Sequence, residues 1–401
     1  MAGRIAYCVT PRAGGLFRFY RNLRSALAPH GWEVLAPVLG SYAAARWDPD
    51  FADQGCALIA EGESDRPRLA RAFAAWTIQE RIDIVIPMDD SIAASAVPHM
   101  PPEARLVTRC SNATSFGYRI CAIHPQRLSR VIVMTPRLYD GLRRARRLRQ
   151  EQLVIIPHGV DLRQFSSERR SDQADGARRL RIVYAGRLDD KTKGTLWLPS
   201  IIAELARAAV EFEFQIIGDG PDRSRLESLL RRKGIDGQCQ LRGTMRSDQI
   251  ARVFCESDVL LMPSRIDGFP NVLGEAMAAG SVPVASHIRG VTDFIVEHRV
   301  SGLLCRVGDT RAFAQAIAEL ASNRERLKAM SRAARRAVEE RFSLERMGRD
   351  YDRVFRAVIS EPPPDVAPRP WSEFREEPAF RSGWRGRVPR RVKDLVRRYM
   401  C

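Results

Sequence analysis

Two successive series of short apolar, β-branched runs, each divided by helical stretches, constrain this chain more than any other feature. The first series is "RIAYCVT" (4–10), "WEVLAPVL" (32–39), "IDIVIP" (82–87), "ARLVT" (104–108), "RVIVMT" (130–135) and "LVIIP" (153–157), with an amphipathic "LFRFYRNLRSAL" (16–27) after the first run. The second is "RIVYAG" (181–186), "FEFQIIG" (212–218), "CQLRG" (239–243), "DVLLMP" (258–263), "VPVAS" (282–286) and "GLLCRV" (302–307). Continuous apolar strands separated by helices describe a parallel sheet covered on both faces, so each series predicts one doubly wound α/β domain. A length of 401 residues suits two such domains and an appendage. The expected organisation is a first domain at 1–161, a polar linker at 162–180 and a second domain at 181–342. A last helix at 343–360 is expected to cross back to the first domain, and 361–401 to form a Pro- and Arg-rich tail. Three consecutive prolines close the globular part, and the tail is expected to be disordered except for its basic end. Open α/β sheets bind ligands at the carboxyl ends of their strands, so the cleft between the domains is the expected site.

The formal charge of +17 raises nucleic acid and acidic membrane surfaces as partners. Only five of the 65 basic residues are lysine (191, 193, 233, 328 and 393), so arginine is the default cation and the pair Lys191 and Lys193 stands out. Basic residues are spread along the chain without an aromatic-interleaved or helix-turn-helix module, which argues against nucleic acid. The 8 cysteines include no Cys-x-x-Cys pair, and several fall in apolar runs. Buried free thiols in a reducing compartment are expected rather than a zinc site. No apolar run approaches the roughly 20 residues of a membrane span, and "MAGRIAYCVTP" enters a strand without a leader pattern. The expected location is the cytoplasm.

Chemistry concentrates in two loops. "AGRLDDKTKG" (185–194) carries Arg187, Lys191 and Lys193 off the end of a strand, ahead of a helix expected to start near Gly194. Cations there suit a phosphate, although a merely basic solvated loop has the same composition. "DGFPNVLGEAMAAGSVPVA" (267–285) places Asp267 in a loop and Glu275 inside a helix beginning near Pro270–Val272. A helix start offers unpaired N–H groups and a partial positive charge, a ready diphosphate site. A carboxylate beside a diphosphate is costly unless it grips hydroxyls, which a ribose and a further polyol supply. The constellation therefore fits a nucleotide sugar. "GDG" (218–220) is read as ordinary turn chemistry.

These motifs resemble the retaining glycosyltransferases of family four, the group 1 glycosyl transferases. Gly186-Arg187-Leu188 through Lys193-Gly194, "IIGDGP" (216–221), "LRGTM" (241–245) and "PSRIDGFPNVLGEAMAAGSVPVAS" (263–286) fall in the family's order, and "IIPHGVDLRQF" (155–165) resembles its boundary motif with His158 in the Asn place. The resemblance is strong from 153 to 308 and weaker before. It implies the GT-B fold, two facing Rossmann-like domains with a cleft between them. It implies that Arg187 and Lys193 neutralise the diphosphate leaving group, and that Asp267 contacts donor-sugar hydroxyls with one methylene less than the family's usual Glu. Glu275 would take the ribose, and the backbone around Asn271, Val272 and Leu273, flanked by Phe269 and Pro270, the diphosphate. Gly14 and Gly15 match the glycine-rich loop facing the diphosphate, and Gly243 in "LRGTM" is assigned to the nucleotide-sugar site. The implied chemistry is metal-independent hexosyl transfer without a cofactor, the nucleotide sugar (UDP or GDP) being a substrate, to a glycan or lipid-linked acceptor.

The amino half departs from the family. Where a His is often found, "IPMDDSIAAS" (86–95) has Met88, Asp89 and Asp90; His99 is read as a loop residue, and Arg109 stands among acceptor-side positions. Two basic stretches remain, a helix in "LYDGLRRARRLRQ" (138–150) and "RGRVPRRVKDLVRRYMC" (385–401), with Val388, Val392, Leu395, Val396 and Tyr399 on one face. The second suits an anionic membrane on the inner face, and equally a packed helix or a solvated tail. Competing readings are a GT-B nucleotide-sugar epimerase, which needs acid/base groups not found here, and a non-catalytic sugar-binding relic.

Overall fold

The computed structural model describes residues 2–11, 15–40, 47–146, 148–165 and 179–380. The amino half builds a seven-stranded sheet from β1 (Gly3–Tyr7), β2 (Trp32–Leu39), β3 (Cys56–Ile59), β4 (Ile84–Ile86), β5 (Arg105–Cys110), β6 (Leu128–Val133) and β7 (Leu153–Ile155). Its order is β3-β2-β1-β4-β5-β6-β7, every pairing parallel. The carboxyl half builds β8 (Leu180–Ala185), β9 (Phe212–Ile217), β10 (Cys239–Gly243), β11 (Val259–Met262), β12 (Val282–Ser286) and β13 (Leu303–Cys305), in the parallel order β10-β9-β8-β11-β12-β13. The doubly wound expectation holds in both halves. In each sheet the strand order reverses beside the first strand, between β1 and β4 and between β8 and β11, where a crevice opens at the strand ends.

Apolar strand residues are buried on both faces; Ile5, Tyr7, Ile84 and Ile86 are sealed on one side of the first sheet, and Ala6 and Val85 on the other. The first of these cores is completed from far along the chain. The helix Leu344–Ser360 contributes Leu344, Met347, Tyr351, Phe355 and Val358 to the core of Phe19, Tyr20, Leu23 and Trp32. Trp32 Nε1 donates to Asp352 Oδ1 at 2.8 Å, and at Gly348 a Cβ would stand 2.5 Å from the Ala26 carbonyl oxygen. The two chain crossings between the domains run side by side: Val160 pairs with Ser343, its N–H donating to Phe342 O at 2.8 Å and its carbonyl accepting from Leu344 N–H at 2.9 Å.

Four local expectations change. The short helix after β8 is Asp190–Lys193 and ends at Gly194, which is left-handed (φ 62°) and where a Cβ would also stand 2.2 Å from the Pro263 carbonyl oxygen, so only glycine fits. Gly218 is more than turn chemistry: a Cβ there would lie 1.9 Å from Gly186 O, so the two loops pack backbone on backbone. Residues 361–380, expected to be disordered, are a strap across the first domain. Arg105 donates to Glu361 O at 2.5 Å, Arg369 N–H to Pro98 O at 2.9 Å, and Glu377 N–H to Ser95 Oγ at 2.9 Å. His99, expected in a loop, is buried in the turn Val97–His99; its ring stacks on Trp371 at 4.6 Å and its Nδ1 meets Arg369 O at 2.9 Å. Isolated aromatic plugs and main-chain bonds hold the strap, so it carries no periodic pattern. The tail segment 385–401, most of the linker (166–178) and Gly14 lie outside the described residues.

Candidate active site

The helix Asn271–Ala278 starts in the cleft, after the loop that leaves β11. The Leu273 N–H is already given to Pro270 O at 2.9 Å, so it is not free for a diphosphate as expected; Asn271 and Val272 N–H have no partner among the described residues. The Leu273 side chain is fully buried under the helix. Gly15 opens the helix Gly15–Leu27 across the cleft, and a Cβ there would meet nothing within 4 Å, so open space faces it.

Both acids are held by cations. Lys193 Nζ lies 2.5 Å from Asp267 Oδ2, and Asp267 Oδ1 accepts from Gly268 N–H at 2.9 Å. This joins the loop after β8 to the loop after β11, neighbours at the switch point. Arg187 is exposed on the same loop and has no ion pair among the described residues, while its carbonyl accepts from Tyr184 OH at 3.0 Å. Glu275 is bound from the other domain: Arg18 Nη2 reaches its Oε1 at 2.7 Å, across 257 residues of sequence. Burial pushes the Glu275 carboxyl up, and the Arg18 guanidinium opposes that shift.

Beneath these pairs lies a histidine the expectations left without a role. His158 Nδ1 sits 2.5 Å from Asn271 Oδ1, and its Nε2 faces Arg109 Nη2. Guanidinium can only donate and the amide oxygen only accept, so the ring is the neutral Nδ1–H tautomer. Burial first, and the Arg109 charge next, hold its pKa well below the usual histidine value. Arg109 is buried, its guanidinium carbon 3.7 Å above the Phe19 ring, and Phe269 stands 5.1 Å from the His158 ring. Arg109 therefore supports the cleft floor rather than an acceptor position. Asp90 caps the helix Ser91–Ala96 by accepting from Ile92 and Ala93 N–H, which accounts for that acid structurally.

A cavity of about 30 Å³ opens here, lined by Gly15, Arg18, His158, Phe269, Asn271 and Glu275 among others. Gly243 and the Asp267–Lys193 pair are not among its lining residues. Gly243 stands at the end of edge strand β10, its carbonyl accepting from Gly218 N–H at 2.7 Å. Thr135 Oγ1 donates to Gly268 O at 3.3 Å, and Arg137 N–H to Gly290 O at 3.1 Å, so the domains touch along the cleft. Sequence reasoning missed Arg18; its one signal was a cation three residues past Gly15, on the helix that faces the glycine loop.

Two facing parallel sheets with their switch points turned to a common cleft are the GT-B fold of glycosyltransferases. A solved structure of Anabaena HepE in complex with UDP-glucose superposes with a TM-score of 0.72 at 18% identity, covering 90% of this chain and 100% of that one. Residues 179–323, which hold most of the carboxyl domain, match the model of the family of glycosyl transferases group 1. Among curated relatives, N-acetyl-alpha-D-glucosaminyl L-malate synthase of Bacillus anthracis is 28% identical over 152 residues, 38% of this chain and 39% of that protein. The putative colanic acid biosynthesis glycosyltransferase WcaL of Escherichia coli (strain K12) is 29% identical over 216 residues, 52% of each chain. The match thus spans about half or less of these relatives.

Proposed function

We propose that this chain is a retaining glycosyltransferase that moves a sugar from a nucleotide-diphosphate sugar, UDP- or GDP-linked, to a hydroxyl of a glycan or lipid-linked acceptor in cell-envelope polysaccharide or glycolipid synthesis. One observation carries the reading: two acids, each met by a cation, flank an open helix start at the switch point of the second sheet. The name of WcaL and the UDP-glucose of HepE support the acceptor class and the donor class respectively. The same reading puts the enzyme in the cytoplasm, peripheral on the inner membrane face.

In this mechanism the bond between the anomeric carbon and the phosphate oxygen breaks, and its electron pair stays on the diphosphate. Arg187 and Lys193 stabilise the charge that grows there, as preorganised donors do for a developing anion. The acceptor oxygen attacks from the same face and its proton passes to the departing phosphate oxygen, which retains the anomeric configuration. Asp267 orients donor-sugar hydroxyls and Glu275 the ribose. Calorimetric titration with a panel of UDP- and GDP-sugars tests the reading. One donor should bind and slowly release free nucleotide, with Glu275→Ala weakening it; no binding from any member would overturn it.

A further inference from the structure

The contact between Arg18 and Glu275 joins the two halves of the cleft at the acid assigned above to the ribose, and no motif in the sequence marks it. Arg18 sits one turn into the helix that opens at Gly15, and its side chain is 35% exposed against 14% for Glu275. A carboxylate so enclosed needs a donor to stay charged, and the guanidinium, which cannot release its proton, is the residue suited to that task. The other titratable groups of the cleft come from several elements. His158, neutral, and Asp161, tied to Arg163 Nε at 2.8 Å, lie on the segment after β7. Arg109 on β5 stands behind His158, and the Lys193–Asp267 pair sits before the helix that carries Glu275. Among the described residues Arg18 is the cation in direct contact with Glu275.

We propose that Arg18 is a positioning residue that reaches across the cleft to hold the Glu275 carboxylate in place, so that the amino domain completes the nucleotide site of the carboxyl domain. With Oε1 held by Arg18, Oε2 is left to accept from ribose hydroxyls. The inference rests on the reading of Glu275 as the ribose acid. It requires nucleotide binding and domain closure to share one contact.

The test uses the full chain with UDP and GDP as probes, comparing wild type, Arg18→Gln and Arg18→Lys by calorimetry from pH 5.5 to 8. Arg18→Gln should weaken binding by about tenfold. Without the guanidinium, burial alone acts on the carboxyl, so the deficit should widen as pH falls; a purely structural role would shift affinity equally at every pH. Arg18→Lys should recover most of the loss. Equal or tighter binding by Arg18→Gln, with the wild-type pH profile, would overturn the proposal. A second arm needs no nucleotide: small-angle scattering should show a larger radius of gyration for Arg18→Gln, and superimposable curves would overturn the clasp. If neither probe binds wild type, the proposed function fails, and scattering still decides on Arg18.

Discussion

Asp267 is one methylene shorter than the glutamate its motif leads one to expect, yet Lys193 closes on it at 2.5 Å. That pair sets the residue-scale outcome. In the proposed mechanism Arg187 and Lys193 face charge that appears as the bond breaks, so Arg187→Ala and Lys193→Ala should lower kcat by a factor of hundreds, about 3–4 kcal/mol. Glu275→Ala, which loses contacts present before and after bond cleavage, should chiefly raise donor KM. Steady-state kinetics with one verified donor decides; a cation variant with unchanged kcat and only a raised KM would reduce that residue to a binding clamp. Lys193 and Asp267 should also be non-additive, because either single loss leaves the partner unpaired. The Lys193→Ala/Asp267→Ala double variant should be no worse than the poorer single within about threefold.

At the scale of elements, the helix Leu344–Ser360 seats on the helix Gly15–Leu27 through Gly348. Gly348→Ala would drive a methyl against the Ala26 carbonyl, and urea unfolding should show a loss of about 1–3 kcal/mol, the usual cost of overpacking. The strap has its own test. Trp371→Ala removes the ring stacked on His99, and hydrogen exchange should rise across 361–380 while the second sheet stays protected. These elements also show what a sequence can carry. The strands were legible because fully buried parallel strands write continuous apolar runs, and all six runs of the second sheet became strands. β3 passed unseen, since "CALI" is too short to stand out. Asp267, Glu275, Arg187 and Lys193 were legible as motifs at fixed spacing. Arg18 and the His158–Arg109 contact were not, because pairing across 257 or 49 residues leaves no local periodicity.

For the whole molecule, buried histidines set the acid limit. Burial lowers the pKa of His124 and, far more, of His158. Both folded values lie below the unfolded one, so the stability they contribute is present above pH about 6.5 and is lost as pH falls through that value. The raised carboxyls of Glu275 and Asp90 have the opposite sign and offset part of that loss as pH falls, so the comparison of wild type with a histidine variant isolates the histidine. The urea midpoint should fall between pH 7.5 and 5.5 in wild type, and fall less in His158→Asn. An equal drop in both would assign the acid loss elsewhere. The return of Tyr351 and Phe355 to the core of Tyr20 and Trp32 also has a meaning for biosynthesis. The amino domain leaves the ribosome first but lacks one wall until the chain has grown roughly 200 residues past β7, a wait of about 10–40 s at ~5–20 residues per second. A fragment covering 1–165, made alone, should therefore aggregate or bind hydrophobic dyes, and a separate peptide covering 343–380 should rescue it. For this chain the domain synthesised first is the one that finishes folding last.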